Sequence, residues 1–365
     1  MMGPLAGIRI VEFAGIGPGP FAAMMLADNG ADVVRIDRPG GGPFAKSGLD
    51  LMARGRRSIA LDLKAEDDRA LALALIARAD GLIEGNRPGV MERLGLGPAE
   101  ALAAKPALVY GRMTGWGQSG PLAPRAGHDL NYLALTGALH AIGPADRPPP
   151  PPLNLIADFG GGAMLLAFGM LAALLHARAS GVGQVVDAAM IDGVIAQTTL
   201  FHAMRAMGAW GAARGANLLD GGAPFYRCYA CACGGYVAVG AIEPQFFALL
   251  RQGLGLADDP DFAAQHDRAR WPAMADKLAS AFAAQPRDHW AALFAETDAC
   301  VTPVLRFDEV AEHPHLAARQ AIVAAHGVPQ PAPAPRYGAT PTALGAPPPK
   351  PDADRASILN DWGIE

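Results

Sequence analysis

The sequence is short of charged and aromatic side chains, which make up 18% and 7% of its 365 residues. Globular chains usually carry about a quarter charged residues, so this composition indicates much buried surface and is consistent with an oligomer. The net charge is −5, which gives no support to a nucleic-acid partner. Hydrophobic residues make up 51%, enough for a large core, and the chain length suggests two domains or one domain with an insertion.

Cysteine is scarce as well, and three of the four cysteines, Cys228, Cys231 and Cys233, lie together in "CYACAC"; the fourth is Cys300. A C-x-x-C pair belongs to a zinc site only when two further ligands follow at a workable spacing, and none does. The segment continues into "GGYVAVGAI", which is typical of a hairpin. We therefore expect reduced strand cysteines and no metal.

Long apolar runs are also missing, and none reaches the length of a membrane span. The densest, "AMLLAFGMLAALLHARA", is interrupted by Gly169 and ends in His176 and Arg178, so it predicts a buried helix. The start "MMGPLAG" lacks a basic stretch followed by an apolar one. We expect no signal peptide and a cytoplasmic location.

Strand and helix patterns alternate through the first half of the chain. "GIRIVEF", the loop "AGIGPGP", the helical "FAAMMLADNG" and the strand "ADVVRID" form a β-α-β unit, and similar patterns continue to "ALVYGRM". This alternation predicts an α/β fold with a parallel sheet. A helix is predicted over 160–178.

The second half has a different texture. Residues 201–223 are rich in Gly, Ala and Arg and are interpreted as a linker. "FYRCYACACGGYVAVGAI" then predicts a hairpin that opens a smaller α+β domain over 224–324. The large domain is expected over 1–200, completed by a returning segment over 325–365.

"GHDLNY" places His128 beside Asp129. Neighbouring residues on a regular element point apart, so the two are not expected to act on one atom. Asp158 precedes three glycines and the predicted helix, where a carboxylate is stabilised by free N–H groups. It is either a plain helix cap or a functional carboxylate. The three glycines are poor helix formers and favour a functional carboxylate, because they would let a ligand approach the backbone closely. The helix amides would then be available to an oxyanion.

Several other features allow two interpretations. "GIGPGP" suggests a dinucleotide fingerprint, but its spacing is wrong and its prolines lack the N–H groups that would bind a pyrophosphate. Glu243 follows an apolar strand and is expected to be solvent-exposed on general grounds. Arginines near the predicted strand ends suit phosphate binding if clustered and surface charge if not; they are Arg38, Arg54, Arg56, Arg57, Arg87 and Arg93.

Taken together and in order, "GPLAGIRIVEFAGIGPGPFAAMMLADNGADVVRIDRP", "LIEGNRPGVMERLGLGP", "RMTGWGQSGP", "GHDLNY" and "DFGGG" resemble the class III CoA-transferase superfamily. Within it the chain is most similar to the α-methylacyl-CoA racemases, over nearly its whole length. The resemblance implies a Rossmann-like large domain, a smaller domain and an interlocked homodimer. It also implies an active site formed by the large domain of one subunit and the small domain of the other.

The same resemblance assigns roles to residues. His128 and Asp158 become the acid/base pair of a racemase acting on 2-methylacyl-CoA thioesters, and Glu243 supports the histidine. In the transferases of the superfamily the aspartate at the position of Asp158 is a nucleophile, so a CoA-transferase is the alternative function. No cofactor is expected beyond the CoA of the substrate. The positions expected to contact CoA are Arg38, Leu61, Asp62, Leu63, Lys64, Gly85, Asn86, Arg87, Arg93, Gly127, Asp129, Leu130, Asn131 and Tyr132.

Overall fold

The computed structural model describes residues 3–42 and 48–364. The chain divides into two compact units. The first unit comprises Met1–Thr136, Pro152–Gln197 and Pro314–Glu365, and the second comprises Gly137–Pro151 and Thr198–His313. These bounds differ from the predicted domains at 137–151 and 198–200, which lie in the second unit, and at 314–324, which lie in the first. The predicted linker over 201–223 is also part of the second unit.

The helices and strands follow in chain order. Up to residue 135 they are β1 (Arg9–Phe13), α1 (Pro18–Asp28), β2 (Asp32–Asp37), β3 (Arg56–Ala60), α2 (Glu66–Arg78), β4 (Gly81–Glu84), α3 (Val90–Arg93), α4 (Pro98–Ala104), β5 (Val109–Thr114) and α5 (Asp129–Leu135). A π-helix (Leu155–Ala163), α6 (Met164–Ser180), β6 (Gln184–Ala189), α7 (Met190–Gln197) and α8 (Thr199–Ala206) follow. The remainder are β7 (Tyr226–Ala230), β8 (Tyr236–Gly240), α9 (Pro244–Gly253), α10 (Trp271–Ala283), α11 (Arg287–Phe294), β9 (Val301–Pro303), α12 (Pro314–Ala318), β10 (Ile322–Ala325), β11 (Val328–Pro331) and α13 (Arg355–Trp362).

The first unit is built on a six-stranded sheet in the order β3-β2-β1-β4-β5-β6, and every neighbouring pair is parallel. This confirms the predicted α/β fold. The chain runs outward from β1 to β3 and then returns to place β4 on the other side of β1. In open α/β sheets ligands bind at the carboxyl ends of the strands, beside such a reversal.

Strands β1 to β5 are largely buried, with charged side chains among their apolar ones, whereas the edge strand β6 is mostly exposed. A core on one face joins strand residues such as Val34 and Leu82 to Leu75 of α2. The C-terminal helix α13 belongs to this core, since Trp362 is 1% exposed and its indole N–H donates to Asp32 at 2.8 Å. The predicted return of the C-terminal segment therefore completes this unit.

An ion pair lies in the interior of the first unit. Arg56 Nε donates to Glu12 Oε2 at 2.8 Å, and both side chains are 0% exposed. The guanidinium also donates to the carbonyl of Pro20. Arg56 therefore neutralises Glu12 and ties the β1–α1 connection to β3.

Replacing Arg56 by alanine is expected to lower the free energy of unfolding by about 3–5 kcal/mol, because it leaves the Glu12 charge buried without its partner. Chemical denaturation of wild type and variant measures the difference. Arg306→Ala, which removes a solvent-exposed pair with Asp308, is the control and should shift the midpoint far less. Equal shifts in the two variants would contradict this interpretation.

The π-helix and α6 form one continuous helix, Leu155–Ser180, of 26 residues. By length and composition alone this helix could cross a membrane, although only helices among the described residues were compared in this way. That is weak evidence, because helices that pack against a sheet pass the same test. Leu166, Met170 and Leu174 do lie on a buried face, but Phe168 and Leu175 on the other face are 70% and 72% exposed. The prediction of a fully buried helix is wrong for that outer face.

The second unit contains the predicted hairpin, with β7 antiparallel to β8 and β8 antiparallel to β9. Its core is rich in aromatic residues, among them Phe225, Trp271, Phe282 and Trp290. The four cysteines are free thiols, and only Cys231 is buried. No grouping of three or more His, Cys, Asp or Glu that could hold a metal ion occurs among the residues that the structure describes.

Candidate active site

The expected CoA-binding residues of the early chain gather at the carboxyl edge of the sheet. Arg38 follows β2, residues 61–64 follow β3, and residues 85–87 follow β4. Because β3, β2, β1 and β4 are consecutive neighbours, these segments share one edge. Arg38, Lys64, Arg87 and the nearby Arg93 are exposed and available to phosphates, whereas Leu61 is 1% exposed and packs in the core.

Asn86 occupies a fixed position at this edge. Its backbone N–H donates to Glu84 Oε2 at 2.6 Å, and Glu84 is buried at the end of β4. Arg112 on β5 donates to Glu84 at 2.9 Å and to Glu92 of α3 at 2.7 Å. Burial raises the pKa of Glu84, while the Asn86 amide and Arg112 act to lower it. The loop over 85–87 is therefore held in place by Glu84, which Arg112 in turn bonds. These roles of Glu84 and Arg112 were not predicted from the sequence.

The β1–α1 loop lies beside Asp158. Gly17 has φ +70°, and a Cβ placed there would be 3.2 Å from Asp158 Oδ2. The Gly/Pro-rich sequence therefore serves two needs, a left-handed turn and the close approach of backbone to a carboxylate. The approach to Asp158 was not predicted from the sequence, although the loop's place after the central strand β1 was a signal for it.

His128 is the residue that precedes α5. Its backbone is extended, with φ −132°, and its N–H donates to Asn131 Oδ1 at 3.1 Å. Its carbonyl accepts the N–H groups of Asn131 and Tyr132. These main-chain bonds fix the start of the helix while the His128 side chain remains exposed. The imidazole is thus held on an ordered backbone and is open to a substrate.

Tyr132 holds the loop that leads into His128. Its hydroxyl donates to the carbonyl of Gly127, and its ring meets Trp116 edge-on at a centroid distance of 4.7 Å. A Cβ on Gly115 or Gly127 would lie 2.0 or 2.6 Å from the Tyr132 ring, so both positions require glycine. Gly115 and Gly127 therefore make room for this ring.

Asp158 lies in the first turn of the π-helix rather than at a cap in front of residue 160. Asn154, the residue before that helix, donates from Nδ2 to Asp158 Oδ2 at 3.3 Å. The backbone N–H of Asp158 donates to Asp129 Oδ2 at 2.7 Å, and the N–H of Ala157 donates to the same oxygen at 2.9 Å. Asp129, next to His128 in sequence, is thus bonded to the segment that carries Asp158.

The three glycines after Asp158 have a packing role. A Cβ on Gly161 would lie 2.8 Å from Val194 N, and one on Gly162 would lie 3.0 Å from Met190 Cγ, so α7 packs directly on the π-helix backbone. From α7, a Cβ on Gly193 would lie 1.8 Å from the Gly161 carbonyl oxygen. The expectation that these glycines admit a ligand is wrong at 161 and 162, where a neighbouring helix occupies the space.

The electrostatics of Asp158 suit proton transfer. Burial raises the pKa of Asp158, and the Asp129 carboxylate raises it further. The Asn154 hydrogen bond and the nearby His128 act to lower it, without reversing the direction. A raised pKa makes a protonated Asp158 accessible closer to neutral pH, where it is able to donate a proton. His128 and Asp158 are thus electrostatically coupled within one unit.

Glu243 lies in the second unit, at the residue that precedes α9. It is exposed, as expected on general grounds, and its carbonyl accepts the N–H of Phe247 at 3.0 Å. The nearby Cys300 has φ 53° and accepts the N–H of Gly240 through its carbonyl. Burial and the Glu243 carboxylate together raise the pKa of the Cys300 thiol.

A doubly wound parallel sheet, with basic residues at its carboxyl edge and a His/Asp pair beside its central loop, defines an enzyme-like α/β protein. The family model of CoA-transferase family III matches residues 5–355, and the chain belongs to that family. It is 47% identical to the α-methylacyl-CoA racemase of Mus musculus over 94% of this chain and 88% of that protein. It is also 47% identical to the α-methylacyl-CoA racemase of Homo sapiens, over 85% and 80%. A crystal structure of a CAIB/BAIF family protein from Brucella suis covers 99% of this chain and 100% of its own, with a TM-score of 0.86 and 26% identity.

Proposed function

We propose that the protein interconverts the R and S epimers of 2-methylacyl-CoA thioesters by removing and returning the α-proton. The observation that carries this proposal is the arrangement of His128 and Asp158 in one unit: Asp129, which follows His128, accepts the Asp158 amide, and His128 is close enough to act on the pKa of Asp158. The racemase relatives support it, since each is 47% identical in sequence to this chain over most of its length. A pair of different groups suits racemisation because one takes the proton from one face of the α-carbon and the other supplies a proton to the opposite face.

The direction of reaction sets the protonation state that is required. Neutral His128 takes the proton of the S epimer while protonated Asp158 donates to the other face. The reverse reaction starts from the Asp158 carboxylate and the His128 imidazolium. The raised pKa of Asp158 favours the first state, because it keeps the carboxylic acid populated at higher pH. As the family resemblance implies, Glu243 of the partner subunit is proposed to orient the imidazole and to stabilise its charged form.

The enolate oxygen needs hydrogen-bond donors, and the amides expected at the start of a helix over 160–178 cannot supply them. The helix already begins at Leu155, and the amides of Ala157 and Asp158 are bonded to Asp129. In the described part of the chain, the amides of Asp129 and Leu130, the first two of α5, donate no hydrogen bond. We place the enolate oxygen at these amides, which adjoin His128.

CoA is proposed to bind along the carboxyl edge of the sheet. The exposed guanidinium and ammonium groups of Arg38, Lys64, Arg87 and Arg93 suit its phosphates. The Asp129 carboxylate faces the π-helix, so any contact of Asp129 with CoA would come from its main chain. No cofactor beyond the CoA of the substrate is proposed, because the thioester itself acidifies the α-proton. We keep the cytoplasm as the proposed location.

One experiment separates this function from the alternative, a CoA-transferase with Asp158 as nucleophile. The enzyme is incubated in D2O with one epimer of a 2-methylacyl-CoA and no acceptor acid. A racemase incorporates deuterium at the α-carbon and equilibrates the epimers. A transferase incorporates no deuterium and does not equilibrate the epimers. It forms an aspartyl adduct only as part of acyl transfer. Absence of α-exchange with every 2-methylacyl-CoA tested would reject the racemase assignment.

A homodimer is proposed to cover the outer face of α6. Phe168 and Leu175, which are mostly exposed, lie on this face with Met164, Leu165 and Leu171. An apolar stripe of this size on an isolated chain is unfavourable in water. Light scattering is expected to give about twice the 37.7 kDa chain mass, and the double variant Phe168→Asp, Leu175→Asp is expected to give the single mass. A monomeric wild type would remove this proposal.

A further inference from the structure

Asp129 joins the two segments that carry the proposed acid/base groups. It is the first residue of α5, directly after His128, and it is 7% exposed. Its Oδ2 accepts the N–H of Ala157 at 2.9 Å and that of Asp158 at 2.7 Å. One carboxylate oxygen therefore connects the backbone next to His128 with the backbone of Asp158, 29 residues further along the chain.

Helix capping alone does not account for this carboxylate. Its other oxygen, Oδ1, is buried and has no hydrogen-bond partner among the described residues. Burying a charged group costs free energy unless its oxygens are hydrogen-bonded, so the unpaired Oδ1 of Asp129 is unfavourable. The position thus carries an unfavourable feature that a purely structural cap would not need.

The π-helix also packs closely against α7. The Cβ position of Gly161 lies 2.8 Å from the backbone of α7, so the helix cannot move further toward α7. Asp129 bonds the first turn of the same helix, where Asp158 lies. Packing against α7 and the hydrogen bonds to Asp129 together fix the position of Asp158 relative to α5.

We propose that Asp129 is a positioning residue that sets the separation of His128 and Asp158 through its bonds to the amides of Ala157 and Asp158. This inference rests on the proposed racemase function. It concerns the coupling of the two groups, not the chemistry of either one. A misplacement of about 1 Å at a reacting group is enough to cost on the order of 100-fold in rate.

Exchange and inversion report on this coupling separately. His128 takes the α-proton of the S epimer, and the electron pair of the C–H bond passes into the enolate. If the imidazolium exchanges its proton with D2O and returns a deuteron to the same face, the product is labelled and has kept its configuration. Inversion occurs only when Asp158 protonates the opposite face. A displaced Asp158 therefore lowers inversion while exchange with retention continues.

The test compares Asp129→Ala with Asp129→Asn in D2O, starting from the S epimer of a 2-methylacyl-CoA. The alanine variant is expected to raise the ratio of exchange to inversion about tenfold or more. The asparagine variant keeps an oxygen that accepts both amides, so it is expected to hold the ratio within about twofold of wild type. Asp267→Ala is the matched control, because Asp267 caps a helical turn of the second unit through the Ala269 amide and should leave the ratio unchanged.

Every result of this comparison either supports or contradicts the positioning role of Asp129. Equal loss of exchange and inversion in Asp129→Ala, or an unchanged ratio, would overturn the positioning role and leave only a structural one. If the alanine variant does not fold, Asp129→Ser replaces it, since its hydroxyl is too short to reach both amides and the same rise in ratio is expected. Failure of the racemase assignment is recognised separately, because wild-type enzyme would then show neither exchange nor inversion.

Discussion

Replacing His128 by alanine is expected to abolish inversion from either epimer while deuterium exchange from the R epimer persists. Without the imidazole no group takes the proton of the S epimer, so that epimer neither exchanges nor inverts. The R epimer still loses its proton to Asp158, which returns a deuteron to the same face. Positioned proton transfer contributes about 10²–10⁴-fold in rate, and we expect inversion to fall by at least 100-fold.

The surroundings of His128 make this variant interpretable. The imidazole is exposed, and the hydrogen bonds that hold His128 run through its backbone N–H and carbonyl, which alanine retains. The melting temperature should therefore stay close to that of wild type. His315→Ala, which removes another exposed histidine, is the matched control and should leave the inversion rate unchanged. Inversion by His128→Ala at more than about a tenth of the wild-type rate would remove histidine from the acid/base pair.

The parallel sheet could be predicted from the sequence because its signals are local. Apolar strands such as "RIVEF" and "DVVRID" alternate with helical segments, and that alternation allows few other folds. The hairpin of β7 and β8 was predictable for the same reason, since its turn and alternating pattern lie within 15 residues.

The arginines of "ARGRR" show where local reasoning ends. They lie at the start of β3, not at the ligand edge, and their partners are distant in sequence. Arg54 bonds Asp28 and Gln330, and Arg56 bonds Glu12. Neither predicted alternative, phosphate ligand or solvated surface charge, describes the buried Arg54 and Arg56, because a strand pattern does not reveal which buried carboxylates lie on neighbouring elements.

The helix that carries Asp158 was misplaced for a related reason. The prediction began the helix at Gly160, the first of three poor helix formers, whereas the helix begins at Leu155 and continues through all three glycines. Packing against α7 overrides that preference, because only glycine lets the two backbones approach so closely. The pairing of His128 with Asp158 came from resemblance, whereas the bond between Asp129 and the Asp158 amide required the three-dimensional structure.

Asp158→Asn should show the complementary behaviour, with inversion abolished, exchange from the R epimer lost and exchange from the S epimer retained. Asparagine has the same shape and keeps an oxygen for the Asn154 hydrogen bond, so the fold should tolerate it. The variant should even be slightly more stable at neutral pH. Because burial raises the pKa of Asp158 in the folded protein, ionising this carboxyl costs stability as the pH rises above its unfolded pKa, and asparagine avoids that cost.

Thermal unfolding at pH 4 and pH 7 measures this second effect, and the advantage of Asp158→Asn over wild type should be larger at pH 7. A variant less stable than wild type at pH 7 would contradict the burial cost of the carboxylate. The pattern of deuterium exchange, rather than the difference in stability, tests the mechanism. Acyl transfer through an aspartyl anhydride breaks no bond to the α-hydrogen. If Asp158 acted only as a nucleophile, exchange from the R epimer would not depend on Asp158, and exchange from the S epimer would not depend on His128. Opposite epimer dependence in the two variants therefore follows only if the two residues act on opposite faces of one α-carbon.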